Sequence, residues 1–161
     1  MSAPSLSTRL RQKLHLKRYL DELSALTGRS VQADELGDHE QVAALRMAAQ
    51  RFLEDAPAQF EIKFSDRTSE RFKNFLQSLT DANPASVYLW TPDTIDCGVL
   101  LVPSLGAINF DFDFTINDDG ILSFTTSDLS DRLLLDFSST PAGEQVMAVE
   151  TQGPNWGGAV Y

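Results

Sequence analysis

Between Ile108 and Ile116 the chain alternates without a break. Ile108, Phe110, Phe112, Phe114 and Ile116 are apolar, and Asn109, Asp111, Asp113 and Thr115 between them are polar. A period of two separates these sets onto opposite sides of an extended backbone, whereas a helix would mix them. Asn117-Asp118-Asp119-Gly120 follows, then Ile121 to Thr126. Asp118-Asp119-Gly120 suits a three-residue hairpin loop with glycine in the left-handed position. The expected register pairs Ile116 with Leu122, Phe114 with Phe124, Asp113 with Thr125 and Asp111 with Ser127. One face of this hairpin is then core, and the other is an acidic, hydrogen-bonding surface.

The remaining pattern places helices early and strands late. Leu6, Leu10, Leu14, Leu16, Leu20, Leu23 and Leu26 recur at helical spacing and predict a helix ending at Gly28. Its other face is basic. Tyr19 is its one aromatic, too little to anchor it on a membrane, so docking on acidic surface within the chain is the alternative. A second helix starts at Asp38, which can cap it with Gln41 three residues on. It carries Val42, Leu45, Ala49, Phe52 and Leu53 and ends at Pro57. Phe60, Ile62 and Phe64 mark a strand, and Phe72, Phe75, Leu76 and Leu79 a third helix from about Ser69 to Leu79. Strands are expected at Val87–Trp90, Cys97–Val102, Leu133–Phe137 and Gln145–Thr151. The apolar run Cys97–Val102 reads as a central strand. These elements predict an α+β fold, with N-terminal helices packed on one face of a mostly antiparallel sheet. With 161 residues, 1–161 make a single domain, with about residues 1–5 disordered.

Charge narrows the partner. The net charge is -10, but residues 1–30 carry six bases and two acids while residues 81–161 carry twelve acids and one base, Arg132. A one-sign negative half repels nucleic acid and attracts basic proteins. No apolar run is long enough for a bilayer, and the N-terminus lacks the apolar core of a signal peptide. One cysteine, Cys97, permits no internal disulfide and fits a cytoplasmic location.

Candidate chemistry is sparse. Asp111-x-Asp113-x-Thr115 after an apolar strand resembles the first motif of haloacid-dehalogenase-like phosphatases, where the first aspartate is a nucleophile beside magnesium. The context departs from that family. Too few residues follow for a parallel α/β sheet, and the last lysine is Lys73, upstream of the motif. Asp111, Asp113, Asp118 and Asp119 lack the spacing of a calcium loop and read as turn and surface residues. His15 and His39 have no neighbouring nucleophile, and Cys97 reads as a small core residue. The chain is therefore expected to be no enzyme, with no cofactor and no metal.

The strongly acidic α+β pattern, the late strands and the ending Val149-Glu150-Thr151-Gln152-Gly153-Pro154-Asn155-Trp156 resemble immunity proteins of bacterial contact-dependent inhibition and related polymorphic-toxin systems. The resemblance implies a cytoplasmic antitoxin that binds a cognate toxin domain, often a basic nuclease, as a monomer in a 1:1 complex. Asp93, Asp96, Asp111, Asp113, Asp128 and Asp131 are the expected contact residues, with Trp156 as an aromatic anchor. The alternative is an acidic secretion chaperone of the type III kind, dimeric and holding an effector segment. The inhibitor reading requires these carboxylates to share an open surface rather than turn toward the chain's own first helix.

Overall fold

The computed structural model describes residues 5–161, apart from the side chains at 8, 9, 11 and 12. Residues 1–4 of the segment expected to be disordered lie outside that range. Four helices, α1 (Leu6–Thr27), α2 (His39–Ala49), α3 (Glu70–Ala82) and the single turn α4 (Thr94–Cys97), accompany six strands. The strands are β1 (Ala58–Lys63), β2 (Val87–Trp90), β3 (Leu100–Val102), β4 (Ile121–Thr126), β5 (Arg132–Ser139) and β6 (Gln145–Gln152). They form one antiparallel sheet in the order β1-β6-β5-β4-β2-β3, so the chain is an α+β fold with its helices toward the N-terminus.

Register explains which side is core. Phe60 faces Val149, which faces Leu135, which faces Leu122. One row over, Thr151, Leu133, Phe124, Leu89 and Leu100 line up. Residues directly opposite share a face, and all of these except Phe60 are buried. Tyr19, Leu23 and Leu26 of α1 and Phe72, Phe75, Leu76 and Leu79 of α3 complete that core. Asp38 caps α2 by accepting from the Gln41 amide at 2.8 Å, and Ser69 caps α3 through the Phe72 amide. Gly28 follows α1 with φ +65°, the left-handed turn that ends a helix.

The hairpin expected at 108–126 does not form. Residues 108–113 have no regular secondary structure, and 114–119 form turns. β4 is already flanked on both edges, by β2 and β5, so no edge is left for a further strand. The burial alternation is nonetheless present. Ile108 and Phe112 are buried, Phe110, Phe114 and Ile116 pack partly against the core, and Asn109, Asp111, Asp113 and Thr115 face outward. The segment is a strap laid across the core rather than a ladder partner. Its backbone is held by other means. The Asn109 amide donates to the Leu26 carbonyl at the end of α1, and Arg67 Nε donates to the Phe112 carbonyl at 3.0 Å. Phe64 anchors it with edge-to-face contacts to Phe112 and Phe114 at 5.6 and 5.2 Å. Gly120 does take the left-handed conformation, φ +65°. Its amide is held by the Asn117 side chain at 2.8 Å, which closes an Asx-type turn.

Two further expectations change. Leu100–Val102 is an edge strand, not a central one, and Cys97 belongs to α4. The run is apolar because other chain covers it. Val99 pairs with Gly37, whose amide donates to the Val99 carbonyl at 2.8 Å, and α1 packs on α4. In α1 the buried set is Tyr19, Leu23 and Leu26, while Leu6, Leu10 and Leu14 are exposed. α2 and the 3-10 turn Gln50–Leu53 border the second sheet face, making a groove with Trp90, Ser123, Thr125 and Arg132. Gln152 ties this turn down by donating to the Phe52 and Asp55 carbonyls.

Candidate functional site

The carboxylates of the second half do not share one face. Asp131 and Trp156 are fully buried and make no partner surface, contrary to expectation. Asp131 is a structural hub at the β4–β5 turn. Its carboxylate accepts from the Asn83 amide side chain (2.7 Å), the Asn155 backbone and side chain (both 2.9 Å) and the Trp156 amide (3.0 Å). Trp156 lies in the core, and its indole N–H donates to the Leu79 carbonyl at the end of α3 at 2.8 Å. A large aromatic between two turns looks like an interface anchor by sequence, but its N–H has found a helix terminus to satisfy. Asp128 belongs to the same corner. It accepts from Thr126 Oγ1 at 2.6 Å and the Ser130 amide at 3.0 Å. These bonds hold its carboxyl down at about 2, Thr126 being the main cause.

Asp93 is also occupied. Arg18 of α1 donates to both of its oxygens, at 3.1 and 3.0 Å, and reaches Asp118 at 4.0 Å. The basic helix therefore docks on acids of its own chain, and Asp93 is lost as a free contact. Asp96 is half-buried in α4. Asp111, Asp113, Asp118 and Asp119 remain exposed along the strap and its turn. Arg67 reaches Asp111 at 3.4 Å while stacking over the Phe64 ring at 3.9 Å.

Concavities open along the strap, and two of them carry charged groups from the helices as well. One, about 570 Å³, lies between α3 and residues 104–111, with Arg67 and Lys73 beside Leu76, Ile108 and Phe110. The other, about 400 Å³, lies between α1 and the 115–119 turn and is lined by Arg18, Glu22, Asp93, Asn117, Asp118 and Asp119. Glu22 is 6% exposed, and its Oε1 accepts no hydrogen bond. Burial pushes its carboxyl up to about 7, opposed in part by Thr91 and Asn117 and raised further by Asp93. Glu22 was not legible as a site residue. It reads as one of two acids in a basic helix, and the usable signal is its place in the set Tyr19, Glu22, Leu23, Leu26, which is the buried face.

The other singled-out residues gather no chemistry around them. His15 and His39 are partly exposed, with His39 Nδ1 itself buried and without a hydrogen-bond partner. Cys97 is buried, and burial pushes its thiol up to about 11, so little thiolate exists at neutral pH. Among the described residues no three carboxylate, histidine or cysteine side chains are grouped to hold a metal ion, and no helix is long and apolar enough to cross a membrane. No protein-family model, curated protein or solved structure matches this chain.

Proposed function

We propose that this protein binds and neutralises a basic partner protein, as a cytoplasmic immunity protein does with its cognate toxin domain. The observation that carries the reading is the carboxylate ribbon of the strap. Asp111, Asp113, Asp118 and Asp119 project into solvent within nine residues of chain, Asp111 and Asp118 with side chains 77% and 97% exposed. Exposed single pairs such as Asp118–Arg18 at 4.0 Å neutralise little of this charge. A negative ribbon on a protein of net charge -10 accelerates encounter with a cationic domain and repels nucleic acid. The expected acids do not share one open surface: Asp131 is buried, Asp93 is held by Arg18 of α1, and Asp128, though exposed, is bonded into the separate β4–β5 corner, so the reading rests on the strap ribbon alone.

The direct test is to find whether an adjacent reading frame encodes a secreted protein and, where it does, to express its C-terminal domain with this protein and follow association by stopped flow. Asp111→Lys with Asp113→Lys should slow association roughly tenfold at low salt and flatten its salt dependence. An unchanged on-rate removes the ribbon from the interface, and no complex at all removes the reading.

A second reading, an export chaperone, is favoured by one observation. Met47 and Leu53 are 73% and 79% exposed beside the Trp90 groove on the second sheet face, a surface suited to an apolar segment. A stable dimer on gel filtration that retains a disordered effector segment would support it, and a monomer forming a 1:1 complex with a folded basic domain would oppose it.

A further inference from the structure

We propose that the cavity between α1 and the 115–119 turn is a socket for one arginine or lysine side chain presented by the partner protein. The partner's class rests on the reading above, but the socket is argued from its own geometry. Four carboxyl groups, Glu22, Asp93, Asp118 and Asp119, line the cavity against one guanidinium, Arg18. An acidic wall by itself says little. Here the deepest member, Glu22, is more than nine-tenths buried and has an oxygen that accepts from nothing. Buried acceptors are normally paired. Thr91 and Asn117 lie close enough to lower the Glu22 carboxyl, yet neither bonds Oε1, which leaves that one acceptor open to a donor from outside the chain.

Arg18 does not fill that role. Its side chain is 56% exposed at the mouth of the cavity, with both short contacts made to Asp93. It lowers the Glu22 carboxyl only slightly, because its charge is committed to Asp93. A compact metal ion does not suit either, since among the described residues no three such ligands are grouped to hold one. An organic cation on an apolar stem suits better. A guanidinium offers five donors in a fixed fork and an ammonium three, so one head group can reach Glu22 at depth and Asp118 or Asp119 at the rim. About 400 Å³ lies at the low end of the volumes that hold organic ligands, roughly 300–1,000 Å³, and is ample for one long side chain.

The groups facing Glu22 are Arg18 and Tyr19 from α1, Asp93 before α4, and Asp118 and Asp119 from the turn. Tyr19 stays neutral, its hydroxyl donating to the Gly98 carbonyl at 2.6 Å, so the response to pH falls to Glu22. Its carboxyl titrates near 7, and a cation favours the ionised form. Occupancy therefore rises as pH increases through neutrality.

The test uses the intact chain and three small probes, N-acetyl-arginine amide, N-acetyl-lysine amide and the neutral isostere N-acetyl-citrulline amide, followed by NMR. At pH 8 the two cations should cause saturable shifts centred on the Glu22 carboxyl and the amides of residues 117–119, and citrulline should not. Affinity should fall about tenfold or more at pH 5.5 and in Glu22→Gln, since a tenfold change corresponds to loss of one modest charge-assisted contact. Asp118→Asn with Asp119→Asn, both at exposed positions, gives an independent variant that should weaken binding in a folded protein. Equal shifts from citrulline, no saturable shift from either cation, or unchanged binding in both variants would overturn the socket. Probe binding without any complex with the basic domain would leave the socket standing and defeat the immunity reading. A complex of equal affinity in wild type and Glu22→Gln, with no probe binding, would do the reverse.

Discussion

Two buried carboxylates, Asp131 and Glu22, divide the molecule by what surrounds them. Asp131 is fully buried and its two oxygens accept four hydrogen bonds, drawn from α3's C-terminal flank and the turn after β6. Glu22 is almost as deep, yet one oxygen accepts nothing and the neighbouring groups include three more acids. The first corner closes the fold by joining three distant pieces of chain. The second stores an unfavourable arrangement beside an open cavity. A buried acid is thus no single kind of feature, and the donors within reach decide whether it holds structure together or awaits a ligand.

The largest expected effect separates the two corners. Asp131→Ala strips the acceptor from the Asn83 side chain and from the Asn155 and Trp156 amides at once. It should cost about 3–5 kcal/mol, since several buried donors each lose an acceptor at about 1–3 kcal/mol apiece and the losses are not additive, read as a drop in the urea midpoint. Asp131→Asn keeps the shape but turns an amide N–H₂ toward donors, and should cost about 1–3 kcal/mol. Gly153→Ala attacks the same corner from the backbone. Gly153 has φ +110°, and a Cβ there would meet Asp131 Oδ1 and the Ser130 carbonyl. A loss of about 1–3 kcal/mol is expected. Stability unchanged in all three variants would mean that the corner is an ornament.

Glu22→Gln should move stability the other way. The folded-state value of Glu22, about 7, lies above its ordinary 4.5. Below pH 4.5 the group is protonated in both states and contributes no difference. Between 4.5 and 7 the unfolded chain releases the proton while the fold retains it, so stability declines with rising pH and levels off above 7. Glu22→Gln removes that decline. It should be near neutral at pH 4 and stabilising by about 1–3 kcal/mol at pH 8. Asp128 runs in the opposite sense. Its lowered carboxyl, about 2, contributes stability above pH 4 that disappears as pH falls toward 2. Urea melts of wild type, Glu22→Gln and Asp128→Asn across this range would show whether the two corners have opposite pH slopes.

The same contrast explains what could be read from sequence. Periodicity located α1, α3, β2, β5 and β6 because a core-facing stripe is written in neighbouring residues. The α+β class followed from their order. The strap reads as a strand because alternation reports an extended chain with one side buried, and says nothing of a hydrogen-bonding partner. Its real partners, Leu26 and Arg67, lie about eighty and forty-five residues upstream, beyond any local pattern. Composition found the acids but not their depth. Asp131 and Trp156 look exposed in a polar, glycine-rich context, and only tertiary donors bring them inside. Glu22 was hidden by the basic charges around it in α1, although its spacing from Tyr19, Leu23 and Leu26 placed it on the inner face.

The smallest expected effect sharpens the comparison most, because it concerns the residue next to Glu22. Asp21 pairs with Lys17 one helical turn earlier at 3.2 Å, with side chains 69% and 91% exposed. Both acids belong to α1 and are consecutive in sequence, but the helix turns about 100° between them, which sends one to water and the other to the cavity. Exposed pairs at this spacing contribute about 0.3–0.5 kcal/mol and are screened by salt. Asp21→Asn should therefore lower stability by no more than about 0.5 kcal/mol at low salt, and by less in 0.5 M NaCl. It should also leave unchanged the pH slope that Glu22→Gln abolishes. A loss above about 1 kcal/mol would show that charge on the outer face of α1 matters to the fold more than burial does, and the division drawn between the two faces of that helix would fail.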